Sequence, residues 1–404
     1  MSAVPSTDLD ASSATEALAD DEWLRTDLVH PDGRTFHIYG ESHGTLAAQP
    51  PDTGYDVRAL HRRFDRLTGA WVLVSPARNS RPGGLVHTTG TPDCPLCPGG
   101  PELPWPYDVA VFDNRFPSLS VDAPSVRGAL QASSIGRCQV VVYTPEHYGS
   151  LASLSPQQLV RVMTVWRDRS AALWSEGHRC VMAFENRGEA VGATLAHPHG
   201  QFYAFGHVPP FTAAKVVAHH AHRHPHDECL GCALNDDDVD SERVIATNAS
   251  FVVAVPFAAR WPYEIHIRAK RHGLGRLSEL TDAEVRDLAA AVHSTVTRLD
   301  GLFGFEMPLM LAVQEAPARE APAREAPARE PGDPPGGEPD WHLHVEVIPP
   351  HRSAERLKVR ASVETALGQF INDTLPEQSA AQLRAVRADP ADWGEARVPR
   401  IRVG

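Results

Sequence analysis

The chain contains no apolar run that approaches the ~20 residues needed to cross a bilayer. Its first residues show no basic stretch followed by an apolar one, so a cytoplasmic location without a membrane partner is the expectation. Positive charge is also scarce, since 38 Lys and Arg against 51 Asp and Glu give a formal net charge of −13. A nucleic-acid partner is therefore not expected, and any nucleotide handled by the protein should enter a pocket singly.

Cysteine is sparse too, with six in 404 residues, but four of the six form two Cys-x-x-Cys pairs: Cys94, Cys97, Cys229 and Cys232. In a chain without an export signal, such pairs indicate metal ligands or redox centres before disulfides. Tetrahedral zinc needs two further ligands beside each pair, normally histidines in a mixed site. His147 follows Cys97 by 50 residues and His197 follows His147 by another 50, which makes both histidines candidates.

A His-Pro-His-Gly-Gln run covers residues 197–201. In an extended strand the two imidazoles and the Gln201 amide would project to one face. One ring can then ligate a metal or brace the site, while His199 presents a nitrogen to phosphorus as the catalytic nucleophile. Gln201 can hydrogen-bond a phosphoryl oxygen as the second catalytic residue. For a His-x-His pair taken alone, a partly buried strand with ordinary polar contacts is the alternative.

The chain also carries an internal repeat. Ser155 with Gln158, and Thr281 with Glu284, form capping boxes that open long amphipathic helices, expected to end near residues 174 and 299. An apolar strand follows each helix, and each half closes on a strand with a His-x-His pair. The repeat predicts an α+β fold of two tandem units, each an antiparallel sheet packed with a long helix.

Composition divides the chain further. Residues 1–35, acidic and rich in Ser and Ala, are expected to be disordered, as is the segment 315–340, which repeats Ala-Pro-Ala-Arg-Glu and offers no apolar face. Residues 36–208 form the predicted N-terminal unit and residues 209–386 the C-terminal unit that contains this insertion. Residues 387–404 remain as a tail.

Four blocks resemble galactose-1-phosphate uridylyltransferases, a family of the histidine-triad superfamily: residues 61–82, 111–117, 184–201 and 352–364. The resemblance implies two histidine-triad-like units, the first catalytic, and a UDP-glucose–hexose-1-phosphate uridylyltransferase of galactose metabolism. UMP would pass from UDP-glucose to galactose 1-phosphate through a uridylyl-histidine at His199. The alternatives are an ADP-sugar or dinucleoside polyphosphate phosphorylase of the same superfamily, and a zinc-stabilised nucleotide-binding module that needs no His199.

Positions that match the family also imply substrate-binding residues. The resemblance gives this role to Arg78, Arg81, Asn114, Asn186, Thr194, Lys358, Glu364 and Gln369. The two arginines suit a diphosphate, because a guanidinium fork matches phosphate oxygens. The last three residues match a hexose-binding segment, and the resemblance implies a homodimer in which this segment reaches the partner's site.

The resemblance implies one zinc site, and the repeat adds a second. The ligands would be Cys94, Cys97, His147 and His197 in the first half and Cys229, Cys232, His272 and His342 in the second. Both zinc ions would be structural, because two thiolates and two imidazoles complete a tetrahedron. Reduced core thiols beside unrelated histidines are the alternative. Some family members carry an iron-type site in the second half, but Lys215, Gln314 and Glu346 at its ligand positions argue against iron here.

Overall fold

The computed structural model describes residues 22–30, 32–41, 56–80, 94–126, 128–318, 341–388, 393 and 395–404. The predicted α+β class is confirmed. The strands are β1 Glu22–Val29, β2 Thr35–Gly40, β3 His61–Asp65, β4 Ala70–Val74, β5 Val109–Asp113, β6 Gln131–Ser133, β7 Gly136–Val142, β8 Cys180–Arg187, β9 His199–Phe205, β10 Val244–Thr247, β11 Phe251–Ala254, β12 Ile265–Ala269, β13 Leu309–Gln314, β14 His344–Ile348, β15 His351–Ser353, β16 Arg356–Leu357 and β17 Arg400–Val403. The α-helices are α1 Pro156–Ser175, α2 Pro210–His226, α3 Leu230–Val239, α4 Asp282–Phe303, α5 Ser362–Ala366 and α6 Pro376–Ala385.

Twelve of these strands form one continuous sheet in the order β10-β11-β12-β14-β13-β8-β9-β7-β5-β2-β1-β17. The antiparallel sheets predicted for the two units are therefore joined edge to edge into one sheet. The apolar strands β8 and β13, one from each half, pair antiparallel along Leu309–Arg187 to Ala312–Phe184. A strand that is apolar on both sides gains more by pairing with its copy than by forming an exposed edge.

One face of this sheet is covered by α1 and α4, which contact each other. Alternate residues such as Ala183, Ala204 and Leu311 point into the core beneath these helices and are fully buried. The opposite face carries the intervening residues, including His199 and Gln201. Helix packing on one side thus leaves the other side of the central strands for a site.

Both long helices begin where the sequence predicts. Thr281 and Glu284 form the complete capping box of α4, and Gly304 ends that helix with a left-handed φ of 77°. For α1 only half of the predicted box forms. The Ser155 Oγ accepts from the Gln158 backbone N–H at 3.2 Å, but the Gln158 side-chain amide donates to the carbonyls of Asp108 and Tyr143. A buried carbonyl pair therefore takes the amide that the capping box would have used.

The predicted disorder of residues 1–35 is wrong for its last part. Residues 22–29 form β1, which pairs antiparallel with β2 and parallel with β17. Trp23 is 1% exposed, so burial of its large ring holds this strand in place. The prediction of disorder rested on the acidic composition of the segment and overlooked this residue. The tail residues 400–403 complete the same edge of the sheet, and residues 1–21 lie outside the described part of the chain.

The boundary of the predicted insertion also needs correction. Glu315 is 2% exposed, and its Oε2 accepts hydrogen bonds from Ser170, Trp174 and the Leu277 N–H. Ala316 and Ala318 donate backbone hydrogen bonds to Gly275 and Arg179. The ordered chain thus continues to residue 318, and the disorder predicted for 319–340 concerns residues outside the described ranges. Within those ranges, every helix is too short or too polar to cross a bilayer.

Candidate active site and metal centres

His199 opens strand β9, and its ring has a defined tautomer. Its Nδ1 lies 2.8 Å from the carbonyl oxygen of His197. A carbonyl can only accept, so Nδ1 carries the proton and Nε2 carries the lone pair. In the neutral ring this contact therefore leaves Nε2 as the nitrogen that can attack an electrophile.

A cavity of about 310 Å³ adjoins His199. Its lining includes Asn186 from the end of β8 and the segment 195–199, whereas Thr194 lies just before this segment. Asn186 stands opposite Met310 of β13, so the cavity sits where the two halves of the sheet meet. Asn186 and His199 therefore line the same cavity, whereas Thr194 is not part of its lining.

Gln201 lies two residues further along β9 and on the same face as His199. Its Oε1 accepts a hydrogen bond of 3.3 Å from the Asn114 side-chain amide. The Asn114 Oδ1 in turn accepts from the Phe116 backbone N–H at 2.8 Å. With its oxygen occupied in this way, the Gln201 amide is oriented to donate its N–H groups to an anionic oxygen.

Arg78 lies in a 3₁₀ turn, Pro76–Ser80, on the same side of the sheet. Its Nη1 donates to the Phe116 carbonyl at 3.1 Å and to the Tyr203 hydroxyl at 3.2 Å. Tyr203 continues the face that carries His199 and Gln201, so the guanidinium lies on the side of the sheet that holds the predicted catalytic pair. Arg81 lies outside the described residues.

The first predicted metal cluster consists of Cys94, Cys97, His147 and His197, all buried, with ligand atoms within 4.8 Å of one another. The Cys97 Sγ lies 3.3 Å from His147 Nδ1 and 3.5 Å from His197 Nδ1. Bond lengths for tetrahedral zinc require sulfur–nitrogen separations of about 3.5 Å. His197 Nε2 lies 2.8 Å from the Thr144 carbonyl, and burial lowers the pKa of His197 to about 4, which favours a neutral ligand.

The second cluster repeats the arrangement with Cys229, Cys232, His272 and His342. The Cys232 Sγ lies 3.5 Å from His272 Nδ1 and 3.4 Å from His342 Nε2. Here His342 Nδ1 contacts the Ala269 carbonyl at 2.8 Å, so the opposite ring nitrogen faces the cluster. His272 is exposed and Cys232 partly so, which makes this site more open than the first.

The three C-terminal residues of the predicted site lie apart from the His199 cavity. Lys358 Nζ forms a 2.7 Å ion pair with the Glu364 carboxylate and also contacts the carbonyls of Arg260 and Ile371. This contact with Lys358 lowers the pKa of Glu364. Gln369 is exposed. Within the described residues of a single chain, these groups therefore form a cluster of their own.

Two residues of the strands that carry the candidate site, Tyr203 in β9 and Glu185 in β8, were missed by the sequence analysis. Tyr203 lies four residues beyond His199, and the alternation of a strand could have identified it. Glu185 lines the cavity, and burial raises the pKa of its carboxyl to about 7. Only the tertiary structure reveals that burial.

Fold and site together define an α+β protein of two repeated units with a histidine nucleophile candidate and two Cys/His clusters. Residues 52–209 match the N-terminal domain and residues 233–395 the C-terminal domain of galactose-1-phosphate uridyl transferases. The chain belongs to this family.

Comparisons with individual proteins agree with this family assignment. The galactose-1-phosphate uridylyltransferase of Thermotoga maritima is 36% identical over 336 residues, which cover 82% of this chain and 99% of that protein. A solved structure described as a uridylyltransferase has a TM-score of 0.68 at 32% identity and covers 80% of this chain and 97% of its own. An ADP-glucose phosphorylase from Arabidopsis thaliana, solved with bound ADP-glucose, has a TM-score of 0.62 at 23% identity and covers 82% of this chain and 100% of its own. That identity shows a shared fold only.

Proposed function

We propose that the protein transfers a uridylyl group from UDP-glucose to galactose 1-phosphate. The observation that carries the proposal is the 2.8 Å contact between His199 Nδ1 and the His197 carbonyl, which leaves the lone pair on Nε2 beside the cavity. Family membership supports the substrate pair. The similarity to the ADP-glucose phosphorylase is a similarity of fold only, and it does not favour phosphorylase activity.

In the proposed mechanism, His199 Nε2 attacks the α-phosphorus of UDP-glucose. A nitrogen–phosphorus bond forms as the bond to the glucose 1-phosphate oxygen breaks, and glucose 1-phosphate leaves. The ring becomes cationic in this step, and the His197 carbonyl stabilises the Nδ1 proton. The phosphate oxygen of galactose 1-phosphate then attacks the same phosphorus and restores the neutral ring.

Neighbouring groups would stabilise the charge on the phosphoryl oxygens. Gln201 presents its N–H groups because Asn114 occupies its oxygen. Arg78 is held by the Phe116 carbonyl and Tyr203. Hydrogen bonds from charged donors to phosphate are roughly twice as strong as neutral ones, so Arg78 should contribute more than Gln201. Asn186, Thr194 and Arg81 keep their predicted roles as further substrate contacts.

We infer that both Cys/His clusters hold structural zinc, since each supplies two sulfur and two nitrogen ligands. When bound, the ion would fix the ring of His197 from one side. The backbone carbonyl of His197 is the acceptor for His199, so the first cluster would set the tautomer of the nucleophile. A metal assay should give two zinc ions per chain for the two clusters.

We also propose a homodimer in which the C-terminal segment completes the partner's site. Lys358 and Glu364 pair with each other away from the cavity. Six apolar side chains around them are between 40% and 76% exposed: Leu357, Val359, Val363, Leu367, Ile371 and Leu375. Such a patch on one segment suits a protein interface.

Mixed dimers test this arrangement. A His199→Ala chain and a Lys358→Met chain, each inactive alone, are co-expressed. If each site needs both chains, half of the dimers contain one intact site, so activity should return to about a quarter of the wild-type level. Activity that stays at background in the mixture, with mixed dimers present by mass spectrometry, would contradict the shared site.

Covalent labelling tests the reaction itself. UDP-glucose labelled in the uracil should leave one acid-labile uridylyl group per chain and release glucose 1-phosphate before galactose 1-phosphate is added. The label should map to the peptide that contains His199. The peptide that contains His344 is the matched internal control, because His344 Nδ1 makes the same 2.8 Å contact with the carbonyl two residues earlier. Label on another residue, or phosphate-dependent cleavage of ADP-glucose instead, would refute the proposal.

A further inference from the structure

The internal repeat places a second histidine in the position of the nucleophile. Opposed residues in antiparallel pairs share a face, and the pairs Phe184–Gln201, Ala312–Phe184 and Ala312–Glu346 carry that face across the sheet. His344, two residues before Glu346, therefore lies on the same face as His199. Gln314 stands opposite His344, and Glu346 takes the place of Gln201.

The lone pair of His344 is already used. Its Nδ1 lies 2.8 Å from the His342 carbonyl, so Nε2 is the acceptor nitrogen, and the Lys215 ammonium lies 2.9 Å from it. Lys215 also lies 2.7 Å from the Glu346 carboxylate. An ammonium in this position occupies the direction from which phosphorus would have to approach. The second copy of the site cannot act as a nucleophile while this contact persists.

A cavity of about 440 Å³ nevertheless lies beside this cluster and is larger than the one next to His199. Its lining combines three cations with four aromatic rings: Lys215, Arg260, Arg360, Phe205, Phe211, Trp261 and Phe370. The volume falls within the range of small-molecule pockets. The second site thus contains a histidine that cannot react, but it keeps a cavity large enough for a ligand.

Positive charge remains available in this cavity. The Lys215 ammonium neutralises Glu346, and Glu315 directs one oxygen to α1 and Leu277. Arg260 meets the carboxylates of Glu264 and Glu346 only at 3.4 and 3.5 Å. Arg360 is exposed and donates Nε and Nη2 to a neutral acceptor, the Glu364 backbone carbonyl. Two guanidinium groups can therefore turn toward an anion.

The aromatic rings lie beside the same two arginines. The Arg360 guanidinium lies 4.9 Å and that of Arg260 5.6 Å from the Phe370 ring centre. Arg260 also lies 5.8 Å from the ring of Phe211, which is 60% exposed. Guanidinium forks match phosphate oxygens, and the exposed ring of Phe211 beside Arg260 can stack on a flat base. Phosphate and base recognition therefore occur within one cavity.

We propose that this cavity is a non-catalytic binding site for a nucleoside monophosphate. The location follows from the repeat, and the ligand class follows from the guanidinium groups and rings of the cavity. Within the described residues of one chain the site shares no lining residue with the His199 cavity, so its occupancy does not require uridylyl transfer.

Equilibrium dialysis of the full chain with labelled uridine 5′-monophosphate tests the proposal. Wild type should bind two molecules per chain, one in each cavity. Arg360→Glu should weaken the second binding event at least tenfold, and Phe211→Ala should also weaken it. Arg356→Glu is the matched control, since it makes the same charge change at an exposed arginine of the same segment outside the cavity lining.

A stoichiometry of one in the wild type, or equal loss in the Arg360 and Arg356 variants, would overturn the proposal. The result is separable from the transfer reaction. An Arg360-dependent second molecule without any uridylyl-His199 would leave this site standing and remove the proposed function. A labelled His199 together with a single bound nucleotide per chain would support the proposed function and remove the second site.

Discussion

Single hydrogen bonds orient the two proposed catalytic side chains, His199 and Gln201. The His197 carbonyl takes the Nδ1 proton of His199, and Asn114 occupies the oxygen of Gln201. The first bond leaves His199 Nε2 as the nitrogen that can attack, and the second leaves the N–H groups of Gln201 to donate. Small polar substitutions at the supporting residues should therefore change rates without unfolding the protein.

Asn114→Asp isolates this effect. The carboxylate still accepts from the Phe116 N–H, but it cannot donate to Gln201, so the Gln201 amide should turn its N–H groups away from the phosphoryl oxygens. Loss of one such donor should slow uridylyl transfer about tenfold. Stopped-flow release of glucose 1-phosphate measures this rate, with thermal melting as the control for folding. A rate equal to that of the wild type would mean that Asn114 does not orient Gln201.

Glu315→Gln should change the pH dependence of stability. Burial raises the pKa of Glu315 to about 7 in the folded state, against 4.5 for an ordinary glutamate carboxyl in water. Between these two pH values the folded protein holds a proton that the unfolded chain releases. The stability that Glu315 contributes is therefore complete below about pH 4.5 and is lost as pH rises through 7. Between pH 6 and 8.5 the loss is about one pKa unit, or roughly 1.4 kcal/mol.

Glutamine keeps the acceptor oxygen for Ser170 and Trp174 and does not titrate, so Glu315→Gln should remove that loss. Urea unfolding of both proteins at pH 6 and pH 8.5 measures the difference. The same slope in both proteins would show that Glu315 is already ionised in the fold.

At the scale of secondary-structure elements, tight turns bring each cysteine pair to its histidines. In the second cluster α3 begins at Leu230, and Gly231 packs directly against His342. A Cβ added at Gly231 would lie 2.4 Å from the His342 ring. No side chain other than hydrogen fits there without moving a proposed metal ligand.

Gly231→Ala should therefore lower the zinc content from two to one per chain by displacing His342 from the second cluster. The first cluster should keep its ion. Gly128→Ala is the control, because a Cβ there meets nothing nearer than 3.8 Å. Inductively coupled plasma mass spectrometry gives the count. Two ions in the Gly231 variant would show that the turn can shift at little cost.

At the scale of the whole molecule, the β8–β13 pair makes one sheet of two repeats, and the insertion leaves from that sheet next to the pair. The Trp341 Nε1 donates to the Gln314 carbonyl at 3.1 Å, so the two flanks of the insertion meet. A shorter loop can therefore join them, and loop length changes closure entropy only slightly.

Deletion of residues 319–336 should leave turnover within a few-fold, because the Ala-Pro-Ala-Arg-Glu repeats contain no apolar face to bury. Deletion of 315–336 should lower the melting temperature, because it also removes the buried Glu315. Coupled assay and thermal melting measure the two quantities. Equal behaviour of the two deletions would contradict the assigned boundary.

The sequence by itself determined the elements that depend on local spacing. The two-residue period of a strand puts His199 and Gln201 on one face, and Thr281 with Glu284 begins α4. The repeated order of Cys pair, His and His-x-His also predicted both four-residue clusters, because each ligand is defined by its place in a repeat. Such signals need no knowledge of distant contacts.

Only the tertiary structure decided which distant groups meet. It merged two units into one sheet through β8 and β13, recruited residues 22–29 and 400–403 to one edge, and set Lys215 against His344. It also raised the pKa of Glu185 and Glu315 by burial. These outcomes depend on packing, solvent exclusion and charges brought together from far along the chain, and no local pattern of residues records them.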